Sequence, residues 1–322
     1  MRPLRKIIRL NISSLKYLLI SSLILVLFIL LFIDSDAQQN HRLIKDIWNA
    51  GHLVLFGLLS FVYLHLSKNA KRSLLHQIIV ITLFSLLIGT AIEFVQLLFK
   101  RDFSYNDIFN DLIGGYLGFC FFVLTDKTKK VSLRLFYALA FIMLAVLGLR
   151  ELEKNLLDEY RMRNSFPVLA DFENDLEKSR WEYLLVKAEY STEYVTSGKT
   201  SLKAKYLPGR YSTLSLEHFI NDWRGFRFLS FSIYNPQTSP LDYAVTIFDA
   251  QHNKTGRRYS DRFNKRIQIQ PGWNNIRLSI DKIIQAPKQR TMVANQIKGV
   301  YLFTSRLKQP ITLYIDSIRL EK

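Results

Sequence analysis

Several carboxylates in the N-terminal half stand in segments that are apolar enough to enter a membrane. The stretch AIEFVQLLFKRDFSYNDIFNDLIGGYLGF, residues 91–119, contains Glu93, Asp107 and Asp111, and His52 stands near the start of an earlier apolar run. Charged side chains inside a bilayer are rare without a partner or a water-lined cavity, because hydrocarbon does not solvate them. Carboxylates and an imidazole can exchange protons with a substrate or bind a divalent metal, so either chemistry fits these residue types.

Two interpretations of these residues remain open. In the first, Lys100 and Arg101 neutralise the carboxylates and pin a helical hairpin that binds no ligand. In the second, the side chains line a polar membrane pocket that handles a polar head group, by proton transfer or through a metal. No catalytic residue is assigned. The predicted pocket members are His52, Glu93, Gln96, Arg101, Asp107 and Asp111.

The spacing of these residues places them on particular helix faces. Glu93 and Gln96 stand three positions apart and therefore share a face. A second stripe, at intervals of four, three and four residues, contains Asp107, Asp111, Gly114 and Gly118. Glycines in such a stripe let a neighbouring membrane helix approach closely. The spacing therefore predicts that the helix of Glu93 packs against the helix of the two aspartates.

Five apolar segments are long enough, or nearly so, to cross a bilayer, which takes about 20 mostly apolar residues. They are residues 16–33, 49–66, 77–99, 107–124 and 131–149. Lys and Arg accumulate in the N-terminal segment and in the loops that follow the second and fourth segments. Because basic loops stay in the cytoplasm, the N-terminus is predicted to be cytoplasmic and everything after residue 150 extracytoplasmic.

Composition divides the chain near residue 150, where long runs of Leu, Ile, Phe and Val give way to interleaved polar and aromatic residues. The formal net charge of +17 does not indicate nucleic-acid binding, because much of the basic charge lies in short loops beside apolar spans and no nucleic-acid motif is present. The C-terminal half is also basic, so an anionic glycan stays an open partner. Cys120 is the single cysteine, which rules out an intrachain disulfide.

The membrane residues resemble a known family in their order. The run His52-Leu-Val-Leu-Phe56-Gly-Leu-Leu, the Glu93-x-x-Gln96 pair, and then Arg101, Asp107, Asp111, Gly114 and Gly118 resemble the VanZ-like membrane family over about residues 40–125. Trp48 and Asn49 stand where that family often has an Asp-Lys pair, and Asp111 stands where it often has Asn. The resemblance implies a bacterial cell-envelope setting and names no reaction.

The C-terminal half has the two-residue period of β-strands. Alternating runs occupy residues 201–207, 213–219, 229–235, 243–249, 266–270, 275–280, 299–305 and 312–320. Turn signals such as Pro208-Gly209 and Pro271-Gly272 separate several of them. Short alternating strands joined by turns predict an antiparallel, all-β sandwich or jelly roll.

This half also resembles a family. The Asp171-Phe-Glu start, the Pro271-Gly-Trp-Asn274 turn and the closing strand from Leu313 to Leu320 resemble the galactose-binding-like, jelly-roll carbohydrate-binding modules. The resemblance implies a glycan partner and a structural Ca²⁺ ion, which would map onto Glu173 and Asp316. In the alternative, Asp316 only satisfies neighbouring backbone groups.

Sugars bind aromatic faces with polar side chains beside them, so aromatic residues in predicted loops are candidates for glycan contacts. An aromatic residue in a sandwich can equally belong to the core. The densest polar segment around such a residue is Tyr259 to Asn264. The predicted glycan-binding residues are Trp223, Tyr259, Asp261, Arg262, Asn264 and Trp273.

The sequence therefore predicts a membrane helical bundle of five spans followed by an all-β jelly-roll sandwich. The predicted divisions are a basic segment and first helix (1–36), a VanZ-like membrane domain (37–150), a polar stalk (151–165) and a carbohydrate-binding-like sandwich (166–322). The expected function is non-enzymatic recognition of envelope glycan or a lipid-linked precursor at the bacterial inner membrane. The alternative is a membrane enzyme with Glu93 or Asp107 as acid or base. A transporter is disfavoured, since no internal repeat is evident.

Overall fold

Long apolar runs and short alternating runs give two kinds of structure in the computed structural model of this protein. It describes residues 42–67, 72–98 and 103–322, together with four isolated positions between 22 and 29. The chain divides into two units, Met1–Lys154 and Asn155–Lys322. The predicted span at 16–33 lies almost entirely outside the described residues, as do Lys100 and Arg101.

The first unit is helical. Within the described residues, four helices are long and apolar enough to cross a membrane. Each of them matches one predicted span, so a multi-span helical region is confirmed, while the predicted fifth span lies outside the described part of the chain. The helices are α1 (Arg42–Leu66), α2 (Leu74–Leu98), α3 (Tyr105–Thr125) and α4 (Val131–Ser165).

Glycines set how closely these helices pack. A Cβ atom on Gly114 would lie 2.5 Å from the backbone oxygen of Leu53, and one on Gly118 would collide with the backbone oxygen of Gly57. Both partners belong to α1, so the two glycines of the stripe face α1, while the predicted contact between the helix of Glu93 and the helix of the aspartates is present through Asp111. Helix α2 reaches α3 at another point, where Gly89 makes room for Asp111.

The second unit is an all-β sandwich, which confirms that part of the predicted fold. One sheet has the strand order β3-β4-β11-β6-β9, with β1 also paired to β11, and the other has the order β2-β5-β10-β7-β8. The paired strands are antiparallel. The strands are β1 (Val168–Ala170), β2 (Trp181–Leu184), β3 (Val186–Ser191), β4 (Ser201–Tyr206), β5 (Gly209–Leu216), β6 (Phe228–Asn235), β7 (Leu241–Asp249), β8 (Phe263–Ile269), β9 (Gly272–Ser279), β10 (Ile297–Leu307) and β11 (Ile311–Glu321).

Alternation along the strands explains the sandwich core. Every second side chain of β6 is buried, namely Leu229, Phe231 and Ile233, and the buried residues of both sheets form one apolar cluster. Every run predicted from alternation overlaps one of the strands β4 to β11. Strands β2 and β3 are not among the predicted runs. Leu185, with a φ of 52°, separates them where the chain passes from one sheet to the other.

The predicted stalk at 151–165 is helical and continues α4, but it does not stand free. From Asn155 onward it belongs to the second unit, where Asp158 is 1% exposed and Met162 joins the apolar core. Arg180 donates through Nη2 to Asp158 Oδ1 at 2.7 Å. A buried ion pair of this kind fixes the end of the helix to the sandwich.

Candidate functional site

Three helices of the first unit bring one histidine and three carboxylates together. His52 comes from α1, Glu93 from α2, and Asp107 and Asp111 from α3, and none of the four is more than 4% exposed. His52 Nδ1 lies 2.9 Å from Asp111 Oδ1. Its other ring nitrogen, Nε2, lies 4.0 Å from Asp107 Oδ2. We call these four residues the polar cluster.

The start of α3 holds two members of the polar cluster in place. Ser104 caps the helix, since its hydroxyl accepts a hydrogen bond from the backbone N–H of Asp107 at 3.2 Å. The backbone N–H of Ser104 donates in turn to Glu93 Oε2 at 2.7 Å. Glu93 is thereby tied to the loop that precedes the aspartates, which brings α2 to the cluster.

Several polar atoms of the cluster have no hydrogen-bond partner in the described part of the chain. They are His52 Nε2, Glu93 Oε1 and Asp111 Oδ2, and all are buried. Native proteins rarely leave buried polar atoms unpaired, because desolvation then goes uncompensated. One donor atom each from His52, Glu93 and Asp107 lie within 4.8 Å of one another, an arrangement that could hold a metal ion. The cluster therefore has the geometry of a ligand site.

Of the six residues predicted for the pocket, the structure brings these four together. Gln96 is also buried, on the turn of α2 that follows Glu93. Arg101 lies outside the described residues, and so does Lys100, which the hairpin interpretation requires. In the described segments, the ion pairs of the cluster are those of His52 with Asp107 and Asp111.

Trp223 corrects one prediction for the sandwich. It stands in a loop, as predicted, but it is 0% exposed and packs against Phe219 with the ring centres 5.9 Å apart. Its backbone N–H donates to the carbonyl oxygen of Ala294, which holds the loop over the core. A side chain buried in this way cannot serve as a surface for sugar.

Several polar side chains of the predicted segment from Tyr259 to Asn264 form hydrogen bonds within the sandwich. Arg290 donates through Nε to Asp261 Oδ1 at 2.6 Å, and this bond keeps the pKa of Asp261 well below its usual range. Asn264 donates to the backbone oxygens of Tyr259 and Arg262. Tyr259 itself is 71% exposed, with the Arg262 guanidinium 5.5 Å from its ring centre. Tyr259 and Arg262 are the members that remain available for a ligand.

A row of aromatic residues that are in contact lies elsewhere in the sandwich, across three neighbouring strands. Tyr314 on β11 pairs in register with Tyr234 on β6, which pairs with Trp273 on β9. Tyr194 stacks on Tyr234 with ring centres 3.8 Å apart and contacts Tyr314 edge-on at 4.8 Å. Trp273 is 37% exposed, whereas Tyr314 is 4% exposed, so Trp273 offers the row's open ring face and Tyr314 supports it from beneath. We call these four residues the aromatic row. They stand on the face opposite the core, since the neighbours Ile233 and Leu313 point inward.

Polar side chains border the aromatic row. Lys203, next to Tyr314 in register, places its ammonium group 5.6 Å from the Tyr314 ring and 3.1 Å from Glu193 Oε1. Ser232 stands two residues before Tyr234 on β6, and its hydroxyl donates a hydrogen bond to Asn275 Oδ1 at 3.0 Å. Of the aromatic row, the sequence predictions include only Trp273. The outward tyrosines are detectable in the alternation of β6 and β11, but their adjacency is not.

The predicted calcium ligands, Glu173 and Asp316, accept hydrogen bonds from one stretch of backbone, residues 196–200. Glu173 Oε1 accepts hydrogen bonds from the backbone N–H groups of Lys199 and Thr200 at 2.7 and 2.8 Å. Asp316 Oδ2 accepts from the N–H of Thr196 at 2.7 Å. These bonds agree with the alternative in which Asp316 satisfies backbone groups. Asp316 Oδ1, however, is buried without a partner in the described chain, so calcium at this position stays a prediction.

Comparison with known families supports the resemblance of the first unit. Residues 7–126 match the sequence model of the VanZ/LLP1 family. The match contains all four residues of the polar cluster and helices α1 to α3. Among curated proteins, the chain has no match.

Solved structures similar to this chain include carbohydrate-binding modules. A family 11 module from Clostridium thermocellum, in complex with a β-1,3-1,4-mixed-linked tetrasaccharide, is 16% identical, with 48% of this chain and 94% of that chain covered and a TM-score of 0.39. A family 30 module of a cellulosomal cellulase from the same organism is 11% identical, with 44% and 86% covered and a TM-score of 0.33. An exo-β-agarase is 18% identical, with 48% and 25% covered and a TM-score of 0.36.

The family match agrees with the resemblance found in the N-terminal half of the sequence. Residues 7–126 are therefore similar to the VanZ/LLP1 family and contain helices long and apolar enough to cross a membrane, and the chain continues into an all-β sandwich.

Proposed function

We propose that this protein is a multi-pass protein of the bacterial cell envelope that recognises envelope glycan, or a lipid-linked glycan precursor, through its β-sandwich. The observation that carries the proposal is the aromatic row of Tyr194, Tyr234, Trp273 and Tyr314 on the outer face of one sheet. Aromatic faces pack against the C–H surfaces of sugars, while hydroxyl, amide and charged groups bind their hydroxyls. Ser232, Asn275 and Lys203 supply such groups beside the row.

The alternative explanation of the row is cross-strand stabilisation, because aromatic pairs on neighbouring strands support a sheet without any ligand. Two features favour binding. None of the four residues belongs to the apolar core, and Trp273, the exposed member of the row, lies on β9, an edge strand of its sheet. Substitution of a residue that only supports the sheet should lower stability and binding together. Substitution of a residue that contacts the ligand should lower binding alone.

The proposed setting is the inner membrane, with the N-terminus in the cytoplasm and the sandwich outside. The support for it is the accumulation of Lys and Arg in the N-terminal segment and in alternate loops. Labelling of single introduced cysteines in intact cells tests this orientation, since the native Cys120 is buried. Labelling of a sandwich position by an impermeant reagent is expected, and protection of every such position would contradict the proposal.

Binding of the full chain to a panel of glycans tests recognition. The protein is placed in lipid nanodiscs and titrated with neutral glucans and galactans, with uronic-acid polymers and with phosphorylated polymers. Binding of at least one class is expected, with affinity lost in Trp273→Ala and kept in Tyr259→Ala, which removes an exposed aromatic residue outside the row. Absence of binding to the whole panel, or loss only in Tyr259→Ala, would contradict a role for the aromatic row.

A second candidate is a membrane enzyme that acts on a lipid-linked or glycan substrate, with Glu93 or Asp107 as acid or base. The unpaired buried atoms of the polar cluster favour it, because reactive groups need free donor or acceptor positions. Turnover of a lipid-linked glycan that disappears in Glu93→Gln, with the protein still folded in the membrane, would support this function. Equal turnover by the variant would exclude Glu93 from the reaction.

A further inference from the structure

We infer that the polar cluster binds one divalent transition-metal cation through His52 Nε2, Glu93 and Asp107, with Asp111 holding the imidazole in place. The inference concerns the helical unit and does not depend on glycan recognition by the sandwich. It follows from the identity of the donor atoms, the distances between them and the absence of other partners among the described residues.

The distances between the donor atoms are close to those around a metal of zinc size. Zinc bonds to imidazole nitrogen and carboxylate oxygen measure about 2.0 to 2.2 Å, so two ligand atoms on one ion lie at most about 4.4 Å apart. One donor atom each from His52, Glu93 and Asp107 lie within 4.8 Å of one another, so a movement of a few tenths of an ångström would bring all three into the range of a metal bond. The separation of 4.0 Å between His52 Nε2 and Asp107 Oδ2 is too long for a hydrogen bond and fits a cation between them.

Asp111 determines which nitrogen of His52 faces the other two carboxylates. An ionised carboxylate accepts hydrogen bonds and does not donate, so the bond of 2.9 Å between Asp111 Oδ1 and His52 Nδ1 places a proton on Nδ1. The neutral imidazole then carries a lone pair on Nε2. A carboxylate that orients a metal-binding histidine in this way is common around protein metal sites.

The unpaired atoms point to a cation as the missing partner. His52 Nε2 is an acceptor in this tautomer, Glu93 Oε1 is an acceptor, and both are buried without a donor in the described part of the chain. Acceptors that face one another repel, and within the part of the chain that the structure describes, no Lys or Arg forms an ion pair with these three carboxylates. A divalent cation supplies the attraction that the acceptors need and reduces the negative charge of the carboxylates.

The ligand set also indicates the class of metal. One imidazole with two carboxylates suits Zn²⁺ or Mn²⁺, whereas Ca²⁺ and Mg²⁺ prefer oxygen ligands alone. Three protein ligands leave at least one coordination position open, as in catalytic zinc sites. An oxygen of water, or of a phosphate or hydroxyl head group, is the ligand that this position would accept.

Metal titration of the intact protein tests the site. The full chain is stripped with a chelator in nanodiscs and titrated with Zn²⁺, Mn²⁺, Co²⁺ and Ca²⁺ by calorimetry, and the Co²⁺ form is examined by visible absorption. We expect one equivalent of Zn²⁺ or Mn²⁺ to bind, with Ca²⁺ bound much more weakly. His52→Gln and Glu93→Gln should abolish this binding, and Asp111→Asn should weaken it about 10- to 100-fold.

The control is His76→Gln, because His76 is an exposed histidine in the first turn of α2 and outside the cluster. It should bind metal like the native protein. If His52→Gln does not fold, Glu93→Gln and Asp111→Asn test the site, since both keep the size of the side chain. The inference is overturned if the folded, stripped protein binds none of the transition metals, or if binding survives Glu93→Gln. Glycan titration of the same stripped sample shows separately whether recognition by the sandwich holds.

Discussion

Buried charged side chains differ between the two units of this protein in how completely they are hydrogen-bonded. In the sandwich, Arg180 donates to both oxygens of Asp158, and Arg290 donates to Asp249 and Asp261. In the helical unit, Glu93 and Asp111 each keep a buried oxygen that has no partner among the described residues. The sandwich has one comparable carboxylate, Asp316, and it stands at the predicted calcium position.

We interpret the paired charges of the sandwich as structural and the partly unpaired carboxylates of the polar cluster as ligand-binding. A buried ion pair with complete hydrogen bonds holds the fold, and the loss of one partner leaves the other stranded. Glu93 and Asp111 are each bonded through one oxygen, and the other oxygen keeps an acceptor position that we propose a ligand fills. Substitutions should therefore have opposite consequences in the two units, affecting mainly stability in the sandwich and mainly ligand binding in the polar cluster.

The largest expected effect on stability is that of Arg180→Met. It removes the guanidinium that donates to both oxygens of the buried Asp158, which should reduce the free energy of unfolding of the sandwich by about 3 to 5 kcal/mol. Urea unfolding followed by tryptophan fluorescence measures it. The control is Arg224→Met, because the Arg224–Asp222 pair is exposed and should contribute less than about 1 kcal/mol. Equal effects of the two substitutions would break the comparison.

Gly118→Ala should have the next largest effect, in the helical unit. The new methyl group would collide with the backbone oxygen of Gly57, so α1 and α3 must separate, at about 1 to 3 kcal/mol. Thermal unfolding in nanodiscs measures the change. Gly51→Ala is the matched control, since a Cβ atom at Gly51 meets nothing within 4 Å. Similar midpoints for both variants would mean that the close approach of these helices is unimportant.

Acid should destabilise the sandwich through Asp261. Arg290 holds the pKa of this carboxyl well below its usual value of about 4. Just below pH 4 the carboxyl is therefore protonated in the unfolded chain and still ionised in the folded chain. Stability is therefore complete above pH 4 and decreases as the pH falls further, by about 1 to 2 kcal/mol from this group. Unfolding midpoints between pH 5 and pH 2 test it. Asp261→Asn should flatten the dependence, and an unchanged slope would contradict this origin.

The smallest expected effect on stability is that of Glu93→Gln. Glutamine keeps an oxygen for the N–H of Ser104 and removes a buried charge, so the free energy of unfolding should change by less than about 1 kcal/mol while metal binding is lost. The thermal midpoint of the metal-free protein measures it. A large decrease would show that Glu93 supports the fold, which would remove the contrast between the units.

Sequence periodicity predicted the elements of this fold because period and length are local properties. The alternation of β4 to β11 and the apolar lengths of α1 to α4 are contained in short segments. The grouping of His52, Glu93 and Asp111 was also predicted, since polar residues in membrane helices tend to face one another.

The remaining features depend on contacts between distant segments. Tyr234 and Tyr314 become neighbours only because β6 pairs with β11 in one register, and no local pattern contains that register. Trp223 is buried because its loop is held over the core by the carbonyl oxygen of Ala294. The glycines of α3 indicated close packing, but their spacing could not identify α1 as the partner.

Glycan affinity in the aromatic row tests the proposed function most directly. The dissociation constant of the full chain for the best glycan of the panel is compared with that of Trp273→Ala, and the urea midpoint of each protein is measured alongside. We predict that affinity decreases at least about tenfold, which corresponds to about 1.4 kcal/mol, while the midpoint stays unchanged. An unchanged dissociation constant, or a loss that follows a lowered midpoint, would contradict recognition by this surface.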